Sequence, residues 1–124
     1  MARILVVDDD PRNLRLAVTM LEKAGHEVLS AEGGAEGVEV ALAHAPDLVL
    51  MDMQMPGMDG IAALRRLRAD PRTAALKVVA LTALAMKGDA ERLLAEGFDG
   101  YLEKPLRYKE FLASVAALLA GINE

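Results

Sequence analysis

Short unbroken runs of apolar residues recur along the chain. Three of them, at residues 4–7, 48–51 and 78–81, contain no polar residue. A strand that is buried on both faces needs apolar side chains at every position, so these runs predict the central strands of a parallel sheet. Two weaker segments, at residues 27–31 and 99–103, mix apolar and polar residues as edge strands do. The pattern therefore predicts five strands.

Between the strand candidates, apolar residues recur at the spacing of a helix that buries one face. Five helices are predicted, with apolar positions at Leu14, Val18 and Leu21, then Val38 and Leu42, then Ile61, Leu64 and Leu67, then Leu93 and Leu94, and finally Phe111, Val115, Leu118 and Leu119. Asp10 and Pro11 form a typical helix start. Gly25, Gly97 and Gly121 each follow a helical stretch, where a left-handed residue favours the end of a helix.

The order of strand then helix, repeated five times, predicts an α/β fold. Such a chain forms a parallel, doubly wound sheet with right-handed crossovers and helices on both faces. A common strand order for five strands is 2-1-3-4-5, and its ligand site lies beyond the carboxyl ends of strands 1 and 3, where the winding reverses. Because the chain has 124 residues, we predict one domain over residues 1–124 with a single continuous core.

Composition and charge narrow the possible functions. The chain is 53% hydrophobic and 27% charged, with two Tyr and two Phe, so its core must be aliphatic. A net charge of −5 offers no basic surface for nucleic acid or for an anionic membrane, and we expect neither as a direct partner. Cysteine is absent, which excludes disulfides and thiolate metal sites. The apolar stretch that follows the N-terminus is too short for a signal peptide or a membrane span, which predicts a cytoplasmic protein.

Acidic residues follow two strands that should be neighbours. Asp8 and Asp9 come directly after strand 1, and Asp52 comes directly after strand 3. Neighbouring strands lie about 5 Å apart, so these carboxylates must crowd together. Helix capping explains Asp10, which precedes Pro11, but it does not explain Asp52, because an uncompensated charge at the end of a central strand is costly. Crowded carboxylates without His or Cys nearby favour a hard divalent ion, and a shallow hydrated site suits Mg²⁺.

Two further polar residues follow the remaining strands at the same edge of the sheet. Thr82 follows strand 4 and Lys104 follows strand 5. A bound Mg²⁺ recruits phosphate, Lys104 can neutralise a phosphoryl oxygen, and the Thr82 hydroxyl can donate to another. Asp52 lies at the centre of this set, where its carboxylate could act as a nucleophile and form an acyl phosphate.

These residues resemble the receiver domain of two-component response regulators. The matching stretches are residues 4–9, 47–60, 81–83 and 104–105, and the resemblance covers essentially the whole chain. The segment 82–89 further resembles DivK-type single-domain regulators and the receivers attached to hybrid kinases. The resemblance implies a flavodoxin-like, CheY-like fold and a phosphorylation-dependent switch in a phosphorelay. It implies a regulator that catalyses only its own phosphotransfer and slow autodephosphorylation, not an enzyme with a separate substrate.

The resemblance also assigns roles to individual residues. It implies that Asp52 accepts phosphate from a phosphohistidine. The implied Mg²⁺ ligands are Asp8, Asp9, Asp52 and the backbone carbonyl of Gln54. Thr82 and Lys104 are assigned to the phosphoryl oxygens, Tyr101 is the aromatic residue that changes position with phosphorylation, and the peptide bond before Pro105 is expected to be cis.

Two positions are candidates for setting the lifetime of the phosphoryl group. Gln54 lies two residues after Asp52, and Leu84 lies two residues after Thr82, so both should flank the path of an attacking water. We hypothesise that the Gln54 side chain affects the placement of this water and that the apolar Leu84 side chain cannot.

The implied phosphoryl donor is a histidine kinase or a histidine phosphotransferase. The implied output is a downstream protein that binds the surface formed by helix 4, strand 5 and helix 5 of a monomer. Three alternatives stay open: a small Mg²⁺-dependent phosphohydrolase that uses Asp8 as its nucleophile, a pseudo-receiver that no longer takes phosphate, and a receiver that is one fragment of a larger hybrid kinase. A phosphohydrolase would usually need a cap over its substrate, and no long insertion supplies one.

Three groups of residues look suggestive but have simpler explanations. Four methionines between residues 51 and 58 resemble a copper-binding segment, but methionine also fills irregular gaps in a core. His26 and His44 lie near predicted element ends and are expected to be solvated. A basic stretch on helix 3 is expected to form its charged outer face, and its members are Arg65, Arg66 and Arg68, with Arg72 beyond.

Overall fold

A computed structural model describes residues 2–83 and 87–122. Strands and helices alternate along it in the order β1 (Arg3–Val7), α1 (Pro11–Lys23), β2 (Glu27–Ala31), α2 (Gly34–His44), β3 (Leu48–Asp52), α3 (Gly60–Ala69), β4 (Lys77–Thr82), α4 (Lys87–Glu96), β5 (Gly100–Glu103) and α5 (Tyr108–Ile122). All four strand pairings are parallel, and the strand order is β2-β1-β3-β4-β5. The predicted doubly wound α/β fold is confirmed.

The sheet separates two apolar layers, and the three central strands contribute to both. On one face Leu5, Val7, Val49 and Met51 pack against α2 and α3. On the other face the alternate residues of the same strands pack against α1 and α5, and they include Ile4, Val6, Leu48 and Leu50. Because successive side chains of a strand point to opposite faces, a sheet covered on both sides needs the unbroken apolar runs seen in the sequence.

The helix boundaries follow the predicted signals at most ends. Asp10 caps α1, and its side chain accepts a hydrogen bond of 2.9 Å from the Arg12 backbone N–H. Gly25 and Gly97 have φ angles of 93° and 115°, in the left-handed region that favours glycine. The prediction for Gly121 is wrong, because α5 continues to Ile122. A glycine near the end of a helix costs about 1 kcal/mol at most, and the packing of the preceding turns against the core outweighs that cost.

The methionines are core residues, as the packing interpretation predicts. Met51 and Met55 are 0% and 7% exposed. Met53 and Met58 are partly buried and pack against the same cluster. Met53, Met55 and Met58 lie in the segment that connects β3 to α3, so this segment is anchored to the core through its own side chains.

The histidines differ from each other. His44 is exposed, as expected. His26 is half-buried and accepts a hydrogen bond of 3.3 Å at Nδ1 from the Ala2 backbone N–H. Burial lowers the pKa of His26 below its usual value. His26 is therefore only partly solvated, and it packs beside the start of β1.

Arg68 also departs from the expectation of a charged outer face. Its guanidinium donates to the carbonyl oxygens of Ala74 (3.1 Å), Leu76 and Gly97 (2.9 Å), and it donates to the Asp99 carboxylate at 2.9 Å. Asp99 also accepts a hydrogen bond of 2.8 Å from the backbone N–H of β4 at Val78. Arg68 therefore ties the end of α3 to the segments that precede β4 and β5.

The other arginines of this stretch are exposed, as predicted. Arg65 pairs with Glu96 at 3.0 Å, and Arg72 pairs with Asp70 at 2.8 Å. Exposed ion pairs of this kind contribute little to stability.

We predict that Arg68→Ala lowers the free energy of unfolding by about 2–3 kcal/mol, because hydrogen bonds to a charged group are lost and their carbonyl partners are left without donors. Urea denaturation measures this change. Arg66→Ala is the matched control on the exposed side of the same helix, and it should change the free energy by no more than about 0.5 kcal/mol. Equal losses in the two variants would contradict the anchoring role of Arg68.

Within residues 2–83 and 87–122, no helix combines the length and the apolar character that crossing a membrane requires.

Candidate functional site

Three carboxylates meet at the carboxyl ends of β1 and β3. The two strands are paired, with Val7 opposite Met51, so Asp8 and Asp52 leave the sheet side by side. One oxygen from each of Asp8, Asp9 and Asp52 lies within 4.8 Å of the others. Asp8 and Asp52 are 2% and 6% exposed, whereas Asp9 is exposed. The predicted acidic cluster is thus present, and it opens to solvent on one side.

Lys104 enters this cluster from the end of β5. Its Nζ donates to Asp8 Oδ2 at 3.1 Å and to Asp52 Oδ1 at 3.0 Å. Its backbone N–H donates to the Thr82 carbonyl oxygen at 2.7 Å, which places the lysine beside the end of β4. The peptide bond between Lys104 and Pro105 is cis, as predicted. The lysine is therefore shared between the two buried acids.

The backbone around Asp8 holds its carboxylate in place. Asp8 Oδ1 accepts a hydrogen bond of 2.9 Å from the Asp10 backbone N–H, and the Asp8 backbone N–H donates to the Ala31 carbonyl oxygen at 3.1 Å. Asp10 itself caps α1, which agrees with the structural role predicted for it. Both carboxylate oxygens of Asp8 consequently have a donor, one from the backbone and one from Lys104.

Burial and neighbouring charges set the ionisation of the cluster. Burial raises the pKa of Asp52, the hydrogen bond from Lys104 opposes this rise, and the charge of Asp8 adds to it. At Lys104 the effect of burial is outweighed by the hydrogen bonds to Asp52 and Asp8, so the pKa of Lys104 lies above its usual value. One ammonium therefore faces several carboxylates, and the site retains an excess of negative charge.

The donor set fits a magnesium ion. The three residues offer carboxylate oxygens only, and hard divalent ions prefer oxygen ligands. The exposure of Asp9 leaves room for the water molecules that Mg²⁺ retains in proteins. The uncompensated negative charge and the ligand chemistry thus favour the same kind of ion.

A cavity of about 560 Å³ lies over the cluster and collects residues from several strand ends. Its lining includes all six of the residues predicted to bind metal or phosphate: Asp8, Asp9, Asp52, Gln54, Thr82 and Lys104. It also includes Asn13, Asp59 and Arg92, which the sequence analysis did not single out. Asp59 caps α3 by accepting a 2.9 Å hydrogen bond from the Ala62 backbone N–H, and the spacing before that helix could have identified it as a cap. No sequence signal places Arg92 here.

The residue predicted to change position with phosphorylation does not line this cavity. Tyr101 is on β5, opposite Ala80 of β4, and is 39% exposed. Leu84 is outside the described residues.

Comparisons with known proteins agree with this arrangement. The family model for the response regulator receiver domain matches residues 4–116. Protein PilH from Pseudomonas aeruginosa is 43% identical over 121 residues, which are 98% of this chain and 100% of PilH. The polar-differentiation response regulator DivK from Brucella anthropi is 34% identical over 116 residues, which are 94% of each protein.

A solved structure shows the same fold with a metal in place. The receiver domain of the sensor histidine kinase PA1611 from Pseudomonas aeruginosa, solved with a magnesium ion coordinated in its active-site cleft, is 33% identical to this chain. It superposes with a TM-score of 0.87 over 96% of this chain and 98% of that chain. The five-stranded sheet, the acidic cluster with its shared lysine and the match over nearly the whole sequence lead to one conclusion: this chain belongs to the receiver domain family of two-component response regulators.

Proposed function

We propose that this receiver is a phosphorylation-dependent switch and that Asp52 is its phosphoryl acceptor. One observation carries the proposal: Asp52 ends a fully buried central strand, yet its carboxylate borders an open cavity that it shares with Asp8, Asp9 and Lys104. A buried charge in such a place is costly without a function or a partner. Its position at the centre of the cluster supports a role as the reacting group.

The reaction that the site supports is transfer from a phosphohistidine. An oxygen of the Asp52 carboxylate forms a bond to phosphorus, the bond between phosphorus and the imidazole nitrogen breaks, and that nitrogen keeps the electron pair. The product on this chain is an acyl phosphate. A histidine kinase or a histidine phosphotransferase would supply the phosphoryl group.

Charge neutralisation would come from the residues that surround Asp52. Asp8, Asp9, Asp52 and the backbone carbonyl of Gln54 would hold Mg²⁺, which when bound neutralises charge on the phosphoryl oxygens. Lys104 lies 3.0 Å from Asp52 Oδ1 and can interact with a phosphoryl oxygen as the transfer proceeds. Thr82 borders the same cavity, and its hydroxyl group can donate a hydrogen bond to another phosphoryl oxygen.

Phosphorylation would then change the arrangement of residues on one side of the molecule. It adds negative charge and acceptor oxygens to the site. Thr82 is the last residue of β4, and Tyr101 lies on the neighbouring β5 with its side chain partly exposed. A shift of Thr82 toward the phosphoryl group would change the space available to Tyr101. A downstream protein that prefers one arrangement of α4, β5 and α5 would shift the population of the two states.

The remaining predictions follow from the sequence. We propose a cytoplasmic monomer whose partners are proteins, with no direct contact to nucleic acid or to membranes. Its chemistry would be limited to its own phosphotransfer and slow autodephosphorylation.

Incubation with acetyl phosphate and Mg²⁺ tests the proposed function. Intact-mass measurement should show the addition of one phosphoryl group, and borohydride reduction of the acyl phosphate should locate it at Asp52. Removal of Mg²⁺ with EDTA should prevent the addition. A protein that gains no phosphoryl group under these conditions would be a pseudo-receiver.

The same experiment separates a receiver from a phosphohydrolase that uses Asp8. A hydrolase would release inorganic phosphate continuously and carry any trapped label at Asp8. The structure favours the receiver, because Asp8 is 2% exposed and both of its carboxylate oxygens accept hydrogen bonds.

We predict that Gln54→Ala slows dephosphorylation of the labelled protein by about 2- to 10-fold, the effect of losing one hydrogen bond to the attacking water. The Gln54 side chain is exposed and borders the cavity. Release of phosphate after removal of the phosphoryl donor measures the rate. Phosphorylation itself should be unaffected, because the proposed metal ligand at this position is the backbone carbonyl. Leu84→Ala is the control without a hydrogen-bonding group, and an unchanged rate in Gln54→Ala would remove the hypothesis.

A further inference from the structure

The first residue of α2 presses against the segment that follows the acceptor strand. This segment, residues 53–59, is called the β3–α3 loop below. A β-carbon on Gly34 would lie 2.4 Å from the Met58 carbonyl oxygen and 3.1 Å from Met58 Cβ and Cγ. Contacts of a β-carbon below 3.0 Å essentially never occur. Gly34 is buried, so glycine allows the two backbones to approach more closely than any other residue would.

A second glycine holds the other end of the same loop. A β-carbon on Gly60, the first residue of α3, would lie 2.6 Å from the Asp52 carbonyl oxygen and 3.0 Å from Met53 Cα. The Gly60 backbone N–H donates to the Met53 carbonyl oxygen at 3.3 Å. The loop is thus held between two close backbone contacts, one with α3 and one with α2.

The position of this loop matters for the acidic site. Gln54 and Asp59, near its two ends, both border the cavity, and Asp52 precedes it directly. By contrast, none of the residues that line the cavity in the described part of the chain belongs to α2. A contact between α2 and the loop would therefore act on the site only through the loop.

We propose that Gly34 is a positioning residue for the metal site: its contact with Met58 sets how far the β3–α3 loop lies from the sheet, and so sets the geometry in which Mg²⁺ is bound. This inference rests on the proposed function, because it takes the Gln54 carbonyl as a metal ligand. A methyl group at Gly34 would lie 2.4 Å from the Met58 carbonyl oxygen, so α2 and the β3–α3 loop would have to separate until this distance reaches about 3.0 Å. Mg²⁺ requires ligands at about 2.0–2.1 Å in a near-octahedral arrangement, so it tolerates such a displacement poorly.

The test is the affinity for Mg²⁺ itself, measured by isothermal titration calorimetry without a phosphoryl donor. We expect Gly34→Ala to raise the dissociation constant about 10-fold or more, the usual effect of disturbing the residues that orient metal ligands. Gly33→Ala is the matched control, because an added β-carbon there has no atom of the described chain within 4 Å. This neighbouring substitution should change the dissociation constant by no more than about twofold, because the added methyl group displaces neither α2 nor the β3–α3 loop.

A loss of stability alone must be distinguished from a displaced loop. Arg68→Ala serves as the comparison, since Arg68 contacts the segments before β4 and β5 and not the β3–α3 loop. Destabilised Arg68→Ala should bind Mg²⁺ as the unmodified protein does. Gly60→Ala displaces the opposite end of the loop and should weaken binding as Gly34→Ala does. All variants are measured in the same concentration of trimethylamine N-oxide, which favours the folded state.

The outcomes separate the inference from the function on which it rests. If the unmodified protein fails to bind Mg²⁺, the proposed function fails and the inference fails with it. If the unmodified protein binds Mg²⁺ and Gly34→Ala binds it equally well, only the inference is overturned. Equal weakening in Gly34→Ala and Arg68→Ala would also overturn it, because stability would then explain the effect.

Discussion

Asp52→Asn is expected to abolish phosphorylation by acetyl phosphate and Mg²⁺, with no phosphoryl group detected by intact-mass measurement. Asparagine has nearly the shape of aspartate and can still accept a hydrogen bond from Lys104, so the fold should persist. The amide oxygen, however, is not a nucleophile that forms an acyl phosphate. Loss of labelling would therefore report on chemistry and not on folding.

The same substitution should raise the thermal unfolding temperature in EDTA. Burial raises the pKa of Asp52, which means that the folded protein disfavours the charged form of this side chain. A neutral amide removes that cost and relieves the repulsion between Asp52 and Asp8. Conversely, the stabilisation produced by Mg²⁺ should become smaller in Asp52→Asn, because one ligand has lost its charge. The acceptor would then be a residue that lowers the stability of the fold for the sake of its function.

Asp10→Asn is the matched control for this experiment. Asp10 adjoins the two other acids, but it caps α1, and asparagine is an equally good cap. This variant should be labelled as fast as the unmodified protein. Labelling that persists in Asp52→Asn at another carboxylate, Asp8 in particular, would falsify the assignment of the acceptor.

Lys104→Met is expected to have the second large effect on phosphorylation. The methionine side chain has a similar length to that of lysine but lacks the ammonium group. The initial rate of labelling should fall about 10²- to 10³-fold, the range found when one preorganised donor is removed from developing charge. The rate is measured at saturating Mg²⁺ and acetyl phosphate, so that a change in metal affinity does not contribute.

Lys104→Met should also lower the free energy of unfolding in EDTA by about 3 kcal/mol, because Asp8 and Asp52 would lose their shared cation while remaining buried. Adding Mg²⁺ should recover part of this loss by supplying another cation to the same oxygens. Lys109→Met, an exposed lysine on α5, is the control and should behave as the unmodified protein. If urea denaturation finds the two lysine variants equally stable in EDTA, the shared ion pair does not stabilise the metal-free protein.

The sequence determined the fold class and the residues at the edge of the sheet. Burial on both faces leaves an unbroken apolar run, as in β3, where all five residues are buried. Polar residues that follow such runs must emerge at one edge because the strands are parallel, so the sequence alone predicts that Asp8, Asp9 and Asp52 lie together. Local signals also located the cap at Asp10 and the left-handed glycines Gly25 and Gly97.

Local signals failed where contacts from distant parts of the chain decided the outcome. Glycine is typical of a helix end, but α5 continues past Gly121 because its preceding turns pack against the core. Arg68 belongs to a basic stretch that resembles a solvated face, and its role depends on carbonyl groups that other elements bring to it. The spacing of apolar residues within a helix predicts neither the end of α5 nor the contacts of Arg68, because the residues that decide them lie in other parts of the fold.

At the acceptor site, too, the sequence predicts some features and only the tertiary structure decides others. Residue types predicted that Lys104 would serve the phosphoryl group, but only the tertiary structure shows that it bridges Asp8 and Asp52, which lie 96 and 52 residues away in sequence. Gly34 gave no functional signal, because the glycine pair at residues 33–34 follows strand 2 and is typical of a turn. Its contact with Met58 depends on the distance between two backbones. Side-chain patterns record which surfaces are buried, whereas the distance between two packed backbones is set by the whole fold.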